Sequence, residues 1–235
     1  MLTARALDTG DVVTATPQSG AYCPLCREQV RPKCGEIVTW HFAHHARVDC
    51  DPWSEGESEW HLEWKRRFPL EWCEVVMGPH RADIVSANGW VVELQHSSIS
   101  PAEIREREKF YCGIARGLVW VFDIADAVNA GRFRLRCPDT ADDYRTFRWE
   151  HPRKSIATAF TSGPHLVLLD LGGGDLLKLG RLYPSAPCGG YGWLRSAERF
   201  TEWLMKPRRS EHDAATDTLL KAFPGAELHD PEAEL

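Results

Sequence analysis

Cys23-Pro24-Leu25-Cys26, followed fifteen residues on by His41-Phe42-Ala43-His44-His45 and then by Cys50, leaves few ways to fold the start of this chain. The segment from Tyr22 to Cys50 is too short to bury a core of its own. Modules of this size fold when a metal with four ligands closes them, and two clusters of N and S donors at this spacing suit structural zinc. Candidates exceed places: beside Cys23 and Cys26, the residues Cys34, His41, His44, His45 and Cys50 compete for two positions. A redox role for CxxC would need a strand before it and a helix opening at it, for which the module lacks the length. Of the eight cysteines, Cys73, Cys112, Cys137 and Cys188 fall singly in segments that read as core.

A length of 235 residues allows one or two domains, and 43% hydrophobic with 26% charged residues is a globular composition. No stretch approaches a membrane span, and Met1 to Pro17 lacks the regions of a signal peptide, so the expected address is the cytoplasm and no membrane partner is expected. The net charge of -6 argues against coating nucleic acid by bulk positive charge. Sign is uneven, however. From Lys206 onward there are four basic and seven acidic residues, whereas Arg81, Arg105, Arg107 and Lys109 cluster elsewhere. Of the ten tryptophans, Trp60, Trp64 and Trp120 fit a core, while Trp40, Trp53, Trp149 and Trp193 suit packing or base stacking.

Ser54-Glu55-Gly56-Glu57 carries a capping-box signature that opens a helix closed by Pro69, with Trp60, Trp64 and Phe68 on one stripe and Glu57, His61 and Lys65 on the next. Strand-like runs follow at Glu71 to Met77, His80 to Ser86 and Trp90 to His96. Ser100-Pro101-Ala102-Glu103 opens a second helix running to about Gly113, and Leu118 to Phe122 is a buried strand. From Asp126 to about Leu204 short segments between Gly and Pro turns read as a mostly β appendage with a last helix near Ala197 to Met205. Asp170-Leu171-Gly172-Gly173-Gly174-Asp175 lacks any second nucleotide-binding motif and reads as a hairpin turn. The expected organisation is a zinc-binding module over 1–52, an α/β (α+β) core over 53–125, the β region over 126–205 and a charged tail over 206–235.

Asp83, Glu93 and Gln95 stand inside otherwise apolar strands, where polar groups cost free energy unless paired or bound to a cation. The loop between these strands decides their relation. A two-residue turn at Asn88-Gly89 would put Asp83 and Glu93 on opposite faces; a three-residue loop with Gly89 in the left-handed region sets them opposite each other on one face. The second is expected. Two carboxylates so placed repel unless a divalent ion lies between them, and oxygen donors favour Mg²⁺ or Mn²⁺, which can polarise a phosphate and acidify a water. Glu57 would add a ligand or position the water, with His61 and Lys65 beside it, and Arg107 and Tyr111, four apart on one helix face, suit a phosphate contact.

Together Cys23-x-x-Cys26, His41-Phe42-Ala43-His44, Cys50, Glu57-Ser58-x-x-His61-x-x-x-Lys65, Arg81-Ala82-Asp83-Ile84, Glu93-Leu94-Gln95-His96-Ser97-Ser98-Ile99-Ser100, Arg107-x-x-x-Tyr111 and Val119-Trp120-Val121 resemble the competence protein CoiA-like family. The resemblance spans about Tyr22 to Phe122. It implies an N-terminal zinc ribbon, with four of Cys23, Cys26, His41, His44 and Cys50 as ligands. It also implies a restriction-endonuclease-like αβββαβ core of the PD-(D/E)XK type, in which Asp83 and Glu93 bind Mg²⁺ or Mn²⁺. Catalysis would involve Asp83, Glu93, Gln95, Glu57 and His61; Lys65, Arg81, Arg107 and Tyr111 would contact DNA. The departure is Gln95, which stands where such enzymes carry a Lys. The expected function is therefore a metal-dependent DNA endonuclease in DNA processing, recombination or competence, with a homodimer allowed. The alternative is an inactive nuclease fold that binds DNA or a protein. A ββα-metal nuclease built on His41, His44 and His45 would need a helix after His45, and Arg47 to Pro52 does not read as one.

Overall fold

The computed structural model describes residues 1–45, 50–53, 57–136, 143–163, 165–183, 185 and 188–206. Ser54-Glu55-Gly56 of the expected capping box, Cys137 and the tail beyond Lys206 lie outside the described residues. The fold is mixed α+β and richer in strand than in helix. Two compact units divide the chain, Met1–Ser86 with Val91–His96 and Ala87–Trp90 with Ser97–Leu235.

In the first unit β1 (Thr3–Ala6), β2 (Val12–Thr14), β3 (Ala21–Tyr22), β4 (Gln29–Lys33) and β5 (His41–His44) form an antiparallel sheet in the order β2-β1-β3-β4-β5. The residues before Tyr22, expected only as a polar lead, supply two of these strands. Met1, Ala4 and Ala15 pack with Ala21, Cys23, Val30 and Phe42, so the module does bury a small core. Before Tyr22 three of its four buried members are alanines, in a stretch that also carries Thr3, Thr9, Thr14 and Thr16, which is why alternation there reads as polar.

Helix α1 (Glu59–Lys65) begins later than the sequence suggests. Ser58 is its cap: the Ser58 hydroxyl accepts the His61 backbone N–H at 3.4 Å, and His61 Nδ1 accepts the Ser58 N–H at 3.3 Å. A histidine thus takes the place that Glu or Gln fills in an ordinary capping box. After a short turn at Leu70–Trp72 come β6 (Cys73–Met77), β7 (His80–Val85) and β8 (Trp90–Gln95), all antiparallel. Strand β8 is buried throughout.

The second unit opens on α2 (Pro101–Cys112), capped by the Ser100 hydroxyl, which accepts the Glu103 N–H at 3.1 Å. It continues through β9 (Gly117–Asp123), α3 (Ala125–Asn129), β10 (Phe133–Arg136), β11 (Tyr144–Trp149), α4 (Lys154–Thr161), β12 (Leu166–Gly172), β13 (Asp175–Tyr183), β14 (Gly189–Ser196) and α5 (Ala197–Met205). Strand β9 runs parallel to β12, and β12, β13, β14, β11 and β10 then pair antiparallel in that order. Along the chain the order helix, three strands, helix, strand is present from α1 to β9. Helices α3 and α4 add to the expected β region; α4 is masked in sequence by its Ser and Thr content but buries Ile156 and Ala159 one turn apart.

Gly117 has a packing reason to lack a side chain. A Cβ there would fall 2.4 Å from Cζ3 of the buried Trp90 ring. A rigid indole cannot withdraw, so Gly117→Ala is expected to cost about 1–3 kcal/mol through overpacking, read as a lower urea midpoint at unchanged slope.

Candidate functional site

Strand pairing places the acids of the first unit. Ile84 faces Val92 and Val85 faces Val91, with Gly89 at φ +86°, so Asp83 stands opposite Glu93 as in the three-residue-loop reading. One strand further, the pairs Cys73 with Ile84 and Val75 with Ala82 leave Glu74 opposite Asp83. Glu74, Asp83 and Glu93 therefore form a row across β6, β7 and β8. Glu74 was not foreseen from sequence. Its signal was a lone acid within Cys-Glu-Val-Val-Met, the same pattern that marked Asp83 and Glu93.

Lys65 reaches this row from the last turn of α1. Its ammonium lies 3.0 Å from Asp83 Oδ1 and 3.3 Å from Glu74 Oε1, and it donates a short hydrogen bond to Glu57. The Lys65 side chain is 4% exposed and that of Glu74 1%, whereas Asp83 keeps 21% and is the member that opens to solvent. Burial pushes the Lys65 pKa down, but Asp83, Glu57 and Glu74 reverse this and hold it well above the usual lysine range. Burial likewise raises the Glu57 and Asp83 carboxyls; Lys65 outweighs it for both, helped by the Met1 amino group for Glu57 and by His61 and the Leu94 N–H for Asp83, so both stay below the ordinary range. Lys65, Glu57 and Asp83 are thus held ionised.

Each member is fixed by a further contact. Asp83 Oδ2 accepts the Leu94 N–H at 3.0 Å, Glu74 Oε2 accepts the Thr3 N–H at 2.7 Å and its hydroxyl at 3.0 Å, and the Met1 amino group lies 2.5 Å from Glu57. Glu74 holds φ +57°, a left-handed conformation that costs a β-strand residue about 1–2 kcal/mol. These hydrogen bonds offset that cost. His61 is buried, with Nδ1 facing Ser58 and Nε2 3.2 Å from the Leu94 carbonyl, so Nε2 carries the proton. Burial lowers its pKa below the usual histidine value and keeps the ring neutral. Glu93 and Gln95 are each 2% exposed.

The Cys/His candidates separate cleanly. Donor atoms of Cys23, Cys26, His44 and Cys50 all lie within 4.8 Å of one another, the arrangement a tetrahedral metal ion needs. Cys23 and Cys50 sulfurs are 3.5 Å apart, and Cys26 Sγ is 3.3 Å from His44 Nε2. His41 turns away: its Nδ1 lies 2.8 Å from the Thr39 carbonyl. Cys34 and His45 are also outside the cluster. Burial pushes the Cys23 thiol up, but the Cys26 and Leu25 N–H groups, Cys50 and Arg81 bring it below the usual value, while burial beside Cys23 drives Cys50 to about 12. Burial and Arg81 lower His44, leaving it neutral.

Arg81 adjoins this cluster, with Nη1 3.9 Å from Cys23 Sγ and its N–H donated to Asp51 Oδ2 at 2.9 Å. Asp51, next to Cys50, also lies 3.1 Å from His80 Nδ1, and His80 stacks on Trp53 at 3.3 Å. Strand β7 is thereby tied at its start to the Cys3His cluster and carries Asp83 two residues on. Arg107 and Tyr111 belong to the second unit, both buried, with Arg107 paired to Glu103 at 2.6 Å. Among the described residues no helix is long and apolar enough to cross a membrane.

A small antiparallel sheet that gathers three cysteines and a histidine defines a class of compact modules able to hold zinc. Residues 11–52, which contain all four donors, match the family model for the N-terminal domain of competence protein CoiA, and this supports the CoiA-like family for the chain. No curated protein and no solved structure matches it.

Proposed function

We propose that the chain is a divalent-metal-dependent DNA nuclease whose catalytic row is Asp83 and Glu93, with structural zinc at Cys23, Cys26, His44 and Cys50. The observation that carries the reading is the register that sets a partly exposed Asp83 opposite a buried Glu93 beside a buried lysine. The family match adds a link to competence, and hence to DNA handling.

The donor set fits a hard cation: two carboxylates in register with the Gln95 amide oxygen one step along, and Mg²⁺ takes one or two carboxylates and keeps waters for the rest. Such an ion would supply Lewis-acid polarisation of a phosphate oxygen and acidify a bound water. Asp83 and Glu93 would hold it. Lys65, kept protonated by its acids, cannot serve as a base; it supplies beside Asp83 the fixed positive charge that Gln95 lacks. His61, with both ring nitrogens engaged, fixes the Leu94 backbone and so orients the neighbouring Glu93. Arg81 acts through the Cys3His cluster and β7 rather than on phosphate.

The test is cleavage of labelled single-stranded, duplex and branched DNA by the zinc-loaded protein with and without Mn²⁺. Cleavage that needs Mn²⁺ and disappears in Asp83→Ala supports the enzyme; DNA binding without cleavage, unchanged in Asp83→Ala, supports an inactive fold, the reading that Gln95 favours. For the metal module, His44→Ala is expected to lose the bound zinc by elemental analysis and His41→Ala to keep about one equivalent.

A further inference from the structure

We propose that the outward face of β10, β11, β14 and β13 in the second unit binds single-stranded nucleic acid, with bases stacked on Tyr144, Tyr191 and Trp193 and phosphates held by arginines. Register defines this surface, because residues directly paired in an antiparallel ladder project from one face. Arg134 pairs with Arg148. Arg136, Thr146, Tyr191 and Arg181 make the next rung across four strands, and Tyr144 and Trp193 begin the one after.

The two faces of this sheet differ in kind. Phe133, Phe147 and Trp149 are buried on the inner face and pack at 5.1–5.3 Å, which accounts for them as core. On the outer face Arg134, Arg136, Arg148 and Arg181 are exposed. Tyr144, Tyr191 and Trp193 form a partly exposed trio with centroids 5.4, 5.9 and 6.3 Å apart. Both Tyr191 and Trp193 lean over Gly180, where a Cβ would fall 2.7 and 2.4 Å from their rings.

Charge selects the ligand. Arg134 directly opposite Arg148 is a like-charge pair, which costs stability unless an anion lies across it. None of the residues paired on these rungs is acidic among the described residues. A basic strip along an aromatic patch matches a polyanion whose repeating unit has a flat apolar face, and a single strand offers unstacked bases where a duplex hides them. A chain of net charge -6 thus concentrates arginine on one face.

None of the residues named for this surface belongs to the carboxylate row, so its test does not depend on cleavage. Fluorescence anisotropy would follow dye-labelled dT20, U20 and a duplex of equal length on the full zinc-loaded chain, without Mg²⁺ or Mn²⁺, over a range of salt. The single strands are expected to bind more tightly than the duplex, and the tighter of dT20 and U20 identifies DNA or RNA as the source. Trp193→Ala is expected to weaken binding about tenfold with the salt slope unchanged. Arg148→Ala with Arg181→Ala, both exposed and harmless to folding, should lower the slope by about 1.4, near 0.7 per phosphate contact. Equal affinity for duplex, binding only to anionic lipid vesicles, or single-strand binding untouched by the arginine changes would overturn the proposal.

Discussion

Lys65→Met is expected to destabilise the first unit by about 3–5 kcal/mol at neutral pH, because it leaves Glu57, Glu74 and Asp83 buried without their shared cation. Urea unfolding followed by circular dichroism reads the loss as a fall in midpoint. The same contacts fix its pH dependence. Glu57 and Asp83 have folded pKa values below their ordinary 4.5 and 3.8, so the stability they add is complete above those values and is lost as pH falls through the folded ones. Lys65 is raised above 10.5, so its share is complete below that pH and is lost as pH rises through the folded value. The cost of Lys65→Met should therefore shrink toward acid, where the stranded carboxyls take up protons. A loss under about 1 kcal/mol at pH 7 would show that the three acids find compensation elsewhere.

Cys23→Ser is expected to have the second large effect. Cys23 is fully buried at the centre of the Cys3His cluster and also packs in the small core with Ala21, Val30 and Phe42. Structural zinc contributes about 10–16 kcal/mol in isolated fingers; here Met1, Ala4 and Ala15 add core, so a loss of several kcal/mol is expected rather than complete unfolding. Elemental analysis should fall from about one zinc per chain to near zero, and a chelator should lower the melting temperature of the unaltered chain but not of Cys23→Ser. Zinc-free unaltered protein as stable as the zinc-loaded protein would contradict a metal role for the cluster.

The fold legible in the sequence was the part written in local chemistry. Ser100-Pro101 fixed the start of α2, Asn88-Gly89 marked the hairpin while allowing two registers for Asp83 and Glu93, and the unbroken Leu118 to Phe122 run marked β9. What escaped depended on distant partners. His61 serves as the capping residue of α1 only because burial keeps its ring neutral and the Leu94 carbonyl orients it, and no local pattern announces that. Lys65 looked like one charge on a polar helix edge; its burial follows from Glu74, which arrives from another strand in a left-handed conformation. The choice of His44 over His41 likewise rests on strand alternation in β5, which turns His41 toward Thr39. The outer-face aromatics of β11 and β14 needed the ladder register before Trp193 could be told from Trp149.

The most direct test of the nuclease reading is the Mn²⁺-dependent cleavage rate of Glu93→Gln against the unaltered chain, at matched zinc content and matched urea midpoint. The substitution keeps the buried volume of Glu93 and removes only its charge. Loss of the metal-binding carboxylate should lower the rate by about 100-fold or more with fold and zinc intact. An unchanged rate would place the chemistry elsewhere and contradict the assignment of the Asp83 and Glu93 row.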